Sequence, residues 1–250
     1  PVFFINSDEE VGSHDSTRII TRLARGADRC FVLEPSLGPD GNLKTARKGV
    51  GRFTITVRGK AAHAGLDPGK GASAILELSH IIQKLFSLND LDKGITVNVG
   101  TIDGGLGANM VAPESKAEVD VRVPTREDAD RIEKTIYAIR AETPGTEVVI
   151  EGSVRRPPME RTPGNQRLWR LAERSAAELG IDIDQAAAGG GSDGNTTSLF
   201  TPTLDGLGAV GAGAHAINEH LILDKMVERS ALLARLLSHP PLDEAMPRVG

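Results

Sequence analysis

Apolar and polar positions alternate strictly in three stretches. Phe53, Ile55 and Val57 are interleaved with Thr54, Thr56 and Arg58. Ile95, Val97 and Val99 repeat the pattern, as do Ala117, Val119, Val121 and Val123. A period of two marks half-buried strands. Between the first two, Ile75, Leu78, Ile81, Ile82 and Leu85 recur at helical spacing over residues 73–86. Residues 126–140 predict a second helix, with Pro124-Thr125 at its start. Residues 147–151 form a last strand. The order β-α-β-β-α-β over residues 48–155 is the ferredoxin-like arrangement.

The flanking segments follow another rhythm. Residues 1–5 form a β-rich run, residues 11–23 have helical spacing through Ile19, Ile20 and Leu23, and residues 30–33 form a buried-strand run. Beyond Pro157-Pro158, residues 166–180 are strongly amphipathic, with Leu168, Leu171 and Leu179 apolar and Gly180 a natural stop. A glycine-rich stretch at 186–194, a small-residue strand-like run at 204–213, a helix at 223–237 and a loose tail at 243–250 complete the chain. The fold class is therefore α/β, with a discontinuous domain (1–47 and 156–250) interrupted by an inserted ferredoxin-like α+β domain (48–155). The discontinuous domain has few strands, and the chain opens inside a strand run without an initiator Met. We therefore expect it to lack an N-terminal portion, together with any targeting signal. The expected location is the cytoplasm, with a secreted or periplasmic one left open.

Composition narrows the partners. The chain has 250 residues, 39% apolar and 25% charged, with aromatics at 3%, which is a globular composition with an aliphatic core. The net charge of −5 and the absence of a basic run disfavour nucleic acid and anionic lipid. No apolar run approaches the ~20 residues of a membrane helix. The single cysteine, Cys30, cannot form an internal disulfide. It sits in an apolar run without a neighbouring His, so a small buried hydrophobe is the better reading than a catalytic thiol.

Five places carry candidate chemistry. Asp8-Glu9-Glu10 follows the first strand run. Packed carboxylates there suit a cation, but a solvated turn before a helix suits them too. Glu34 ends the second strand run, before Pro35, where a lone Glu is more often a surface residue than a ligand. His215 follows a run of small residues and lies near Glu219, a setting that leaves room for a metal or substrate. His63 sits in a small-residue loop of the inserted domain, as ligand-facing or merely exposed. Gly189-Gly190-Gly191-Ser192-Asp193 precedes a helix, a place for anions or a plain turn, and lacks the Lys of a nucleotide loop. His14, His80, His220 and His239 have no supporting constellation.

Taken together these segments resemble a family. Asn6-Ser7-Asp8-Glu9-Glu10-Val11-Gly12-Ser13, Leu33-Glu34-Pro35, His63-Ala64-Gly65, Asn109-Met110-Val111-Ala112-Pro113, Val119-Asp120-Val121-Arg122, Gly190-Gly191-Ser192-Asp193 and His215 occur in one order at fitting distances. The chain resembles the zinc-dependent carboxypeptidase, aminoacylase and acetylornithine deacetylase superfamily, metallopeptidase family twenty. It looks most like the glutamate carboxypeptidase branch, over nearly the whole chain.

The resemblance implies a dinuclear zinc hydrolase that cleaves an amide and releases a carboxylate-bearing amino acid. It implies Glu9 as general base, Glu10 and His215 as ligands of one zinc and Glu34 as ligand of the other. It also implies that His63 is the lid histidine that stabilises the oxyanion. Asn109 and Arg122, with Arg156 assisting, would hold the substrate carboxylate, and Gly191 would line the pocket. Cobalt and manganese suit the same donors. The implied partners are a small peptide or N-acyl amino acid and a second copy of the chain, joined through the inserted domain.

The family's His-x-Asp pair and bridging Asp precede the Asp-Glu-Glu motif and have no counterpart in this sequence, so three of five protein ligands are present. Two alternatives follow: a shortened, non-catalytic homologue serving as a dimerisation or binding module, or an N-acyl amino acid deacetylase.

Overall fold

The computed structural model describes residues 1–242; the tail expected at 243–250 lies outside them. Two compact units emerge, one made of Pro1–Lys48 with the chain from Pro158 onward, the other of Gly49–Pro157.

The continuous unit contains β3 (Gly49–Arg58), α2 (Ala74–Phe86), β4 (Thr96–Gly104), β5 (Glu114–Val123), α3 (Arg126–Tyr137) and β6 (Glu147–Arg156), numbered within the whole chain. Its four strands form one antiparallel sheet in the order β4-β5-β3-β6. That is the ferredoxin-like topology, with the first and third strands central. The alternation in β3 and β5 sends Phe53, Ile55, Val57, Val119 and Val121 to the buried face. There they meet Leu78, Ile81 and Leu85 of α2 and Ile132 and Ile136 of α3. Ser73 caps α2 and Thr125 caps α3 through their side chains, as the preceding polar residues predict.

The discontinuous unit holds α1 (Thr17–Gly26), β1 (Cys30–Phe31), β2 (Leu43–Arg47), α4 (Pro163–Glu178), β7 (Gln185–Ala188), α5 (Asp193–Thr197), β8 (Thr203–Leu204), β9 (Gly211–Ala212), β10 (His220–Leu221) and α6 (Leu223–Ser238). β1 pairs with β8 and β2 with β7, both parallel, while β9 and β10 form an antiparallel hairpin. Backbone bonds between Lys44 and Asp205, 2.8 and 3.1 Å, stitch β2 to the end of β8. Leu43, Leu168, Trp169, Ala172, Leu204, Leu232 and Leu236 make this unit's core. Among the described residues no helix is long and apolar enough to cross a membrane.

Three sequence expectations need correction. Residues 1–5 are not a strand: they have no strand partner, and Phe3 and Ile5 are 72% and 92% exposed. A strand exists only by pairing, so β-rich composition alone does not make one. The first α-helix begins at Thr17 rather than at residue 11, because Glu9–Val11 is taken up in a separate 3-10 turn closed by Gly12 at φ 103°. Finally, β2 was not foreseen. Its Lys44, Thr45 and Arg47 are buried, whereas pattern reading treats polar residues as outward-facing.

Candidate functional site

The acidic segment is held by its neighbours in sequence. The Asp8 carboxylate accepts from the backbone N–H groups of Asp15 (2.9 Å) and Ser16 (3.3 Å) and from the Ser16 hydroxyl. These bonds, the hydroxyl first, hold its carboxyl below the usual carboxylate range. Asn6 accepts at Oδ1 from the Ser16 hydroxyl (2.8 Å) and the Asp8 N–H (3.0 Å). Glu9 and Glu10 thus stand on a short turn, Glu9 half-buried and Glu10 exposed. Both ends of the segment are tied to Asp193: Asn6 Nδ2 donates to Oδ2 at 2.6 Å and Ser13 Oγ to Oδ1 at 2.5 Å.

The centre of this unit is an ion pair absent from the sequence reading. Arg47 and Asp205 have side chains 4% and 0% exposed. Arg47 Nε donates to Asp205 Oδ2 at 2.7 Å and Nη2 to Oδ1 at 3.1 Å. Arg47 also reaches the carbonyls of Gly190 (3.1 Å) and Gly191 (3.3 Å) and the Glu34 carboxylate (3.4 Å). The glycine run therefore turns carbonyls toward a cation. The N–H groups of Ser192 and Gly194 are spent on Asn195 Oδ1 and Ser192 Oγ, which leaves neither for an anion. A buried Asp downstream of an Arg in a polar strand was the only available signal, and no local motif announces it.

Glu34 is half-buried beside Arg47. Burial pushes its carboxyl above the ordinary value, Arg47 pulls it down, and the charges of Asp205 and Glu9 push it up again. Glu9 and Glu34 are thus within electrostatic reach of each other. His215 lies on the tip of the β9–β10 hairpin, exposed, at φ 62°. Among the described residues no three His, Cys, Asp or Glu side chains are gathered to hold a metal ion. Two carboxylates and an imidazole are chemically suitable zinc donors. As arranged, however, Glu10, Glu34 and His215 do not by themselves fit a metal centre. Cys30 is half-buried, and its thiol is pushed up chiefly by burial, as befits an inert residue.

The remaining candidates belong to the ferredoxin-like unit. His63 is exposed, and its Nδ1 accepts the backbone N–H groups of Gly65 and Leu66, each at 3.2 Å. A neutral ring in that position carries its proton on Nε2 and presents it as a donor. The Asn109 carbonyl accepts from Ala64 N–H at 2.9 Å, and His63 bridges to Met110, so the His63 and Asn109 segments are neighbours. Arg122, on β5, forks onto Asp120 of the same strand (2.7 and 3.0 Å), so its bidentate face is engaged. Arg156 ends β6 opposite Val50.

Residues 45–147 match the family model described as "Peptidase dimerisation domain". The chain is 28% identical over 237 residues to carboxypeptidase G2 of Pseudomonas sp. (strain RS-16), covering 93% of this chain and 57% of that protein. It is 29% identical to acetylornithine deacetylase of Myxococcus xanthus, covering 94% and 63%. Among solved structures, aminopeptidase PepT of Bacillus cereus superposes with a TM-score of 0.77 at 24% identity, covering 92% of this chain and 61% of that one. A Bacillus subtilis protein described as a dinuclear metal binding peptidase superposes at 0.66 with 18% identity, covering 91% and 61%. The chain thus spans less than two thirds of the length of these relatives.

Proposed function

We propose that this chain belongs to the M20 peptidase family, as its matches to a peptidase dimerisation domain and to carboxypeptidase G2 support, and that it carries the lid and much of the catalytic domain of an amide-bond hydrolase. In this reading the product is an amino acid with a free carboxylate. The observation that supports it most is that Glu34 is bonded to the buried Arg47–Asp205 pair while Glu9 lies near enough for its charge to act on the Glu34 carboxyl. A carboxylate standing beside the site's other acidic group is suited to general-base work.

Glu9 is the proposed base, taking a proton from the attacking water and passing it to the leaving amine. His63, with its proton on Nε2, is a donor suited to a developing oxyanion. Asn109, Arg122 and Arg156 are the proposed contacts for the substrate carboxylate; Arg122 would serve by exchanging Asp120 for the ligand or by using its remaining edge. Gly191 lines the pocket. Zinc is the proposed cofactor, with Glu10, Glu34 and His215 as donors; the centre requires donors beyond those the described residues gather.

The test is Glu9→Gln in the complete protein, assayed on N-acyl amino acids and dipeptides. Turnover should fall by about 10²–10⁴-fold with metal content unchanged; normal turnover would remove Glu9 from the role. The same panel separates carboxypeptidase from deacetylase.

A second reading, a dimerisation or binding module without catalysis, draws on the match of residues 45–147 to a peptidase dimerisation domain. A stable dimer inactive across the whole panel would favour it.

A further inference from the structure

Arg47 and Asp205 spend all their hydrogen-bonding capacity inside the protein. Arg47 has five N–H bonds. One goes from Nε to Asp205, two from Nη2 to Asp205 and Glu34, and two from Nη1 to Gly190 and Gly191. Asp205 is filled as well: Oδ2 accepts from Arg47 and from the Ser192 hydroxyl at 2.5 Å, Oδ1 from Arg47 and the Gly206 N–H. Groups so satisfied have nothing left for a substrate. A buried ion pair is also a poor way to add stability, since a packed apolar pair often does as well. Its value lies in the segments it joins.

Those segments are the ones that carry the site carboxylates. Glu34 is bonded to Arg47 directly, and its carbonyl accepts from the Gly208 N–H at 2.9 Å, three residues past Asp205. Ser192, bonded to Asp205, is followed by Asp193, which clips Asn6 and Ser13 on either side of Glu9-Glu10. The approach of α5 to Asp205 is so close that a Cβ on Gly194 would lie 2.6 Å from Asp205 Oδ2.

We propose that Arg47 and Asp205 are positioning residues, a buried hub that sets Glu34, the 189–191 loop and, through Ser192 and Asp193, the Glu9-Glu10 turn in one fixed arrangement. The purpose assigned to the hub rests on the hydrolase reading; its mechanical coupling does not.

Arg47→Lys keeps the charge and loses the fork. Hydrogen exchange on the full chain should then quicken about tenfold in residues 6–16 and 189–195 together. Exchange in α4, in the same unit, should stay within about twofold of wild type. Acceleration confined to 189–195, or equal acceleration in α4, would overturn the hub. Should Arg47→Lys fail to fold, Ser192→Ala removes the bond to Asp205 together with the cap on the Gly194 N–H, and acceleration in residues 6–16 with α4 unchanged is then the deciding result. In the hydrolase assay, kcat should drop by more than KM rises, because the hub itself touches no substrate and reaches the pocket only through the Gly191 carbonyl. A wild-type protein that hydrolyses nothing in the panel counts against the hydrolase reading alone, and the exchange pattern still decides the hub.

Discussion

Asp205 is fully buried and bonded to Arg47, so removing it strands a guanidinium without its counter-charge. Asp205→Ala should lower the stability of its unit by about 3–5 kcal/mol, measured by urea unfolding. Asp205→Leu paired with Arg47→Met, which removes both charges, should recover much of that loss while the hub's coupling stays broken. At His63 the two N–H groups received by Nδ1 fix which edge of the ring donates. His63→Ala should leave the fold intact, since the side chain is exposed. On the proposed function it should cost about 10²–10³-fold in kcat, and an unchanged kcat would remove the oxyanion role. Both residues show the limit of local reading: His63 stood out through its small neighbours, whereas Asp205 sits in a run, Thr203-Leu204-Asp205-Gly206, that reads as strand and turn.

At the scale of elements, α2 is bound to the loop after α3 by one carboxylate. Glu77 is fully buried and accepts from Glu142 N–H at 3.1 Å and Thr143 N–H at 2.6 Å. Burial works to raise its pKa, but the bonds from Thr143 and Glu142 outweigh it, and the folded value lies below the ordinary 4.5. A lowered folded pKa means the stabilisation is complete above the unfolded value and disappears as pH falls through the folded one. The stability of this unit should therefore decline at acid pH below about 4.5. Glu77→Gln should flatten that decline while lowering stability at neutral pH, both visible in unfolding midpoints measured across pH. In the same sheet, Gly152 stands at φ 123° opposite Phe53, where a Cβ would come within 2.1 Å of the Arg52 carbonyl. Gly152→Ala should destabilise by more than the ~1 kcal/mol typical of a backbone adjustment, read from the same curves. The β3–β6 register shift between Val50 and Arg52 falls at Gly51 and close to Gly152.

For the whole molecule, the two units differ in how the chain builds them. Gly49–Pro157 is continuous and has its own apolar core. The other unit is assembled from two separated stretches. Residues 49–157 expressed alone should therefore fold and unfold cooperatively, as seen by circular dichroism and urea titration. A chain that stays unfolded would mean that this core is insufficient by itself. The match of this stretch to a peptidase dimerisation domain leads to a further proposal, that the protein is a homodimer through this unit, checked by sedimentation of the full chain.

Periodicity alone set out the ferredoxin-like unit, because each of its strands buries one face and each helix one stripe, so burial is written into the spacing of Phe53, Ile55, Val57 and Leu78, Ile81, Leu85. The acidic turn, Glu34, His63 and His215 were visible as residue types in suggestive company. Which of them meet was decided by tertiary structure. The Arg47–Asp205 pair spans 158 positions and the Ser13–Asp193 bond 180. Their partners are polar residues whose burial, full or partial, depends on hydrogen bonds made across that distance. A hydrophobic pattern records what leaves water unaided; it cannot record polar groups whose burial depends on a counterpart far along the chain.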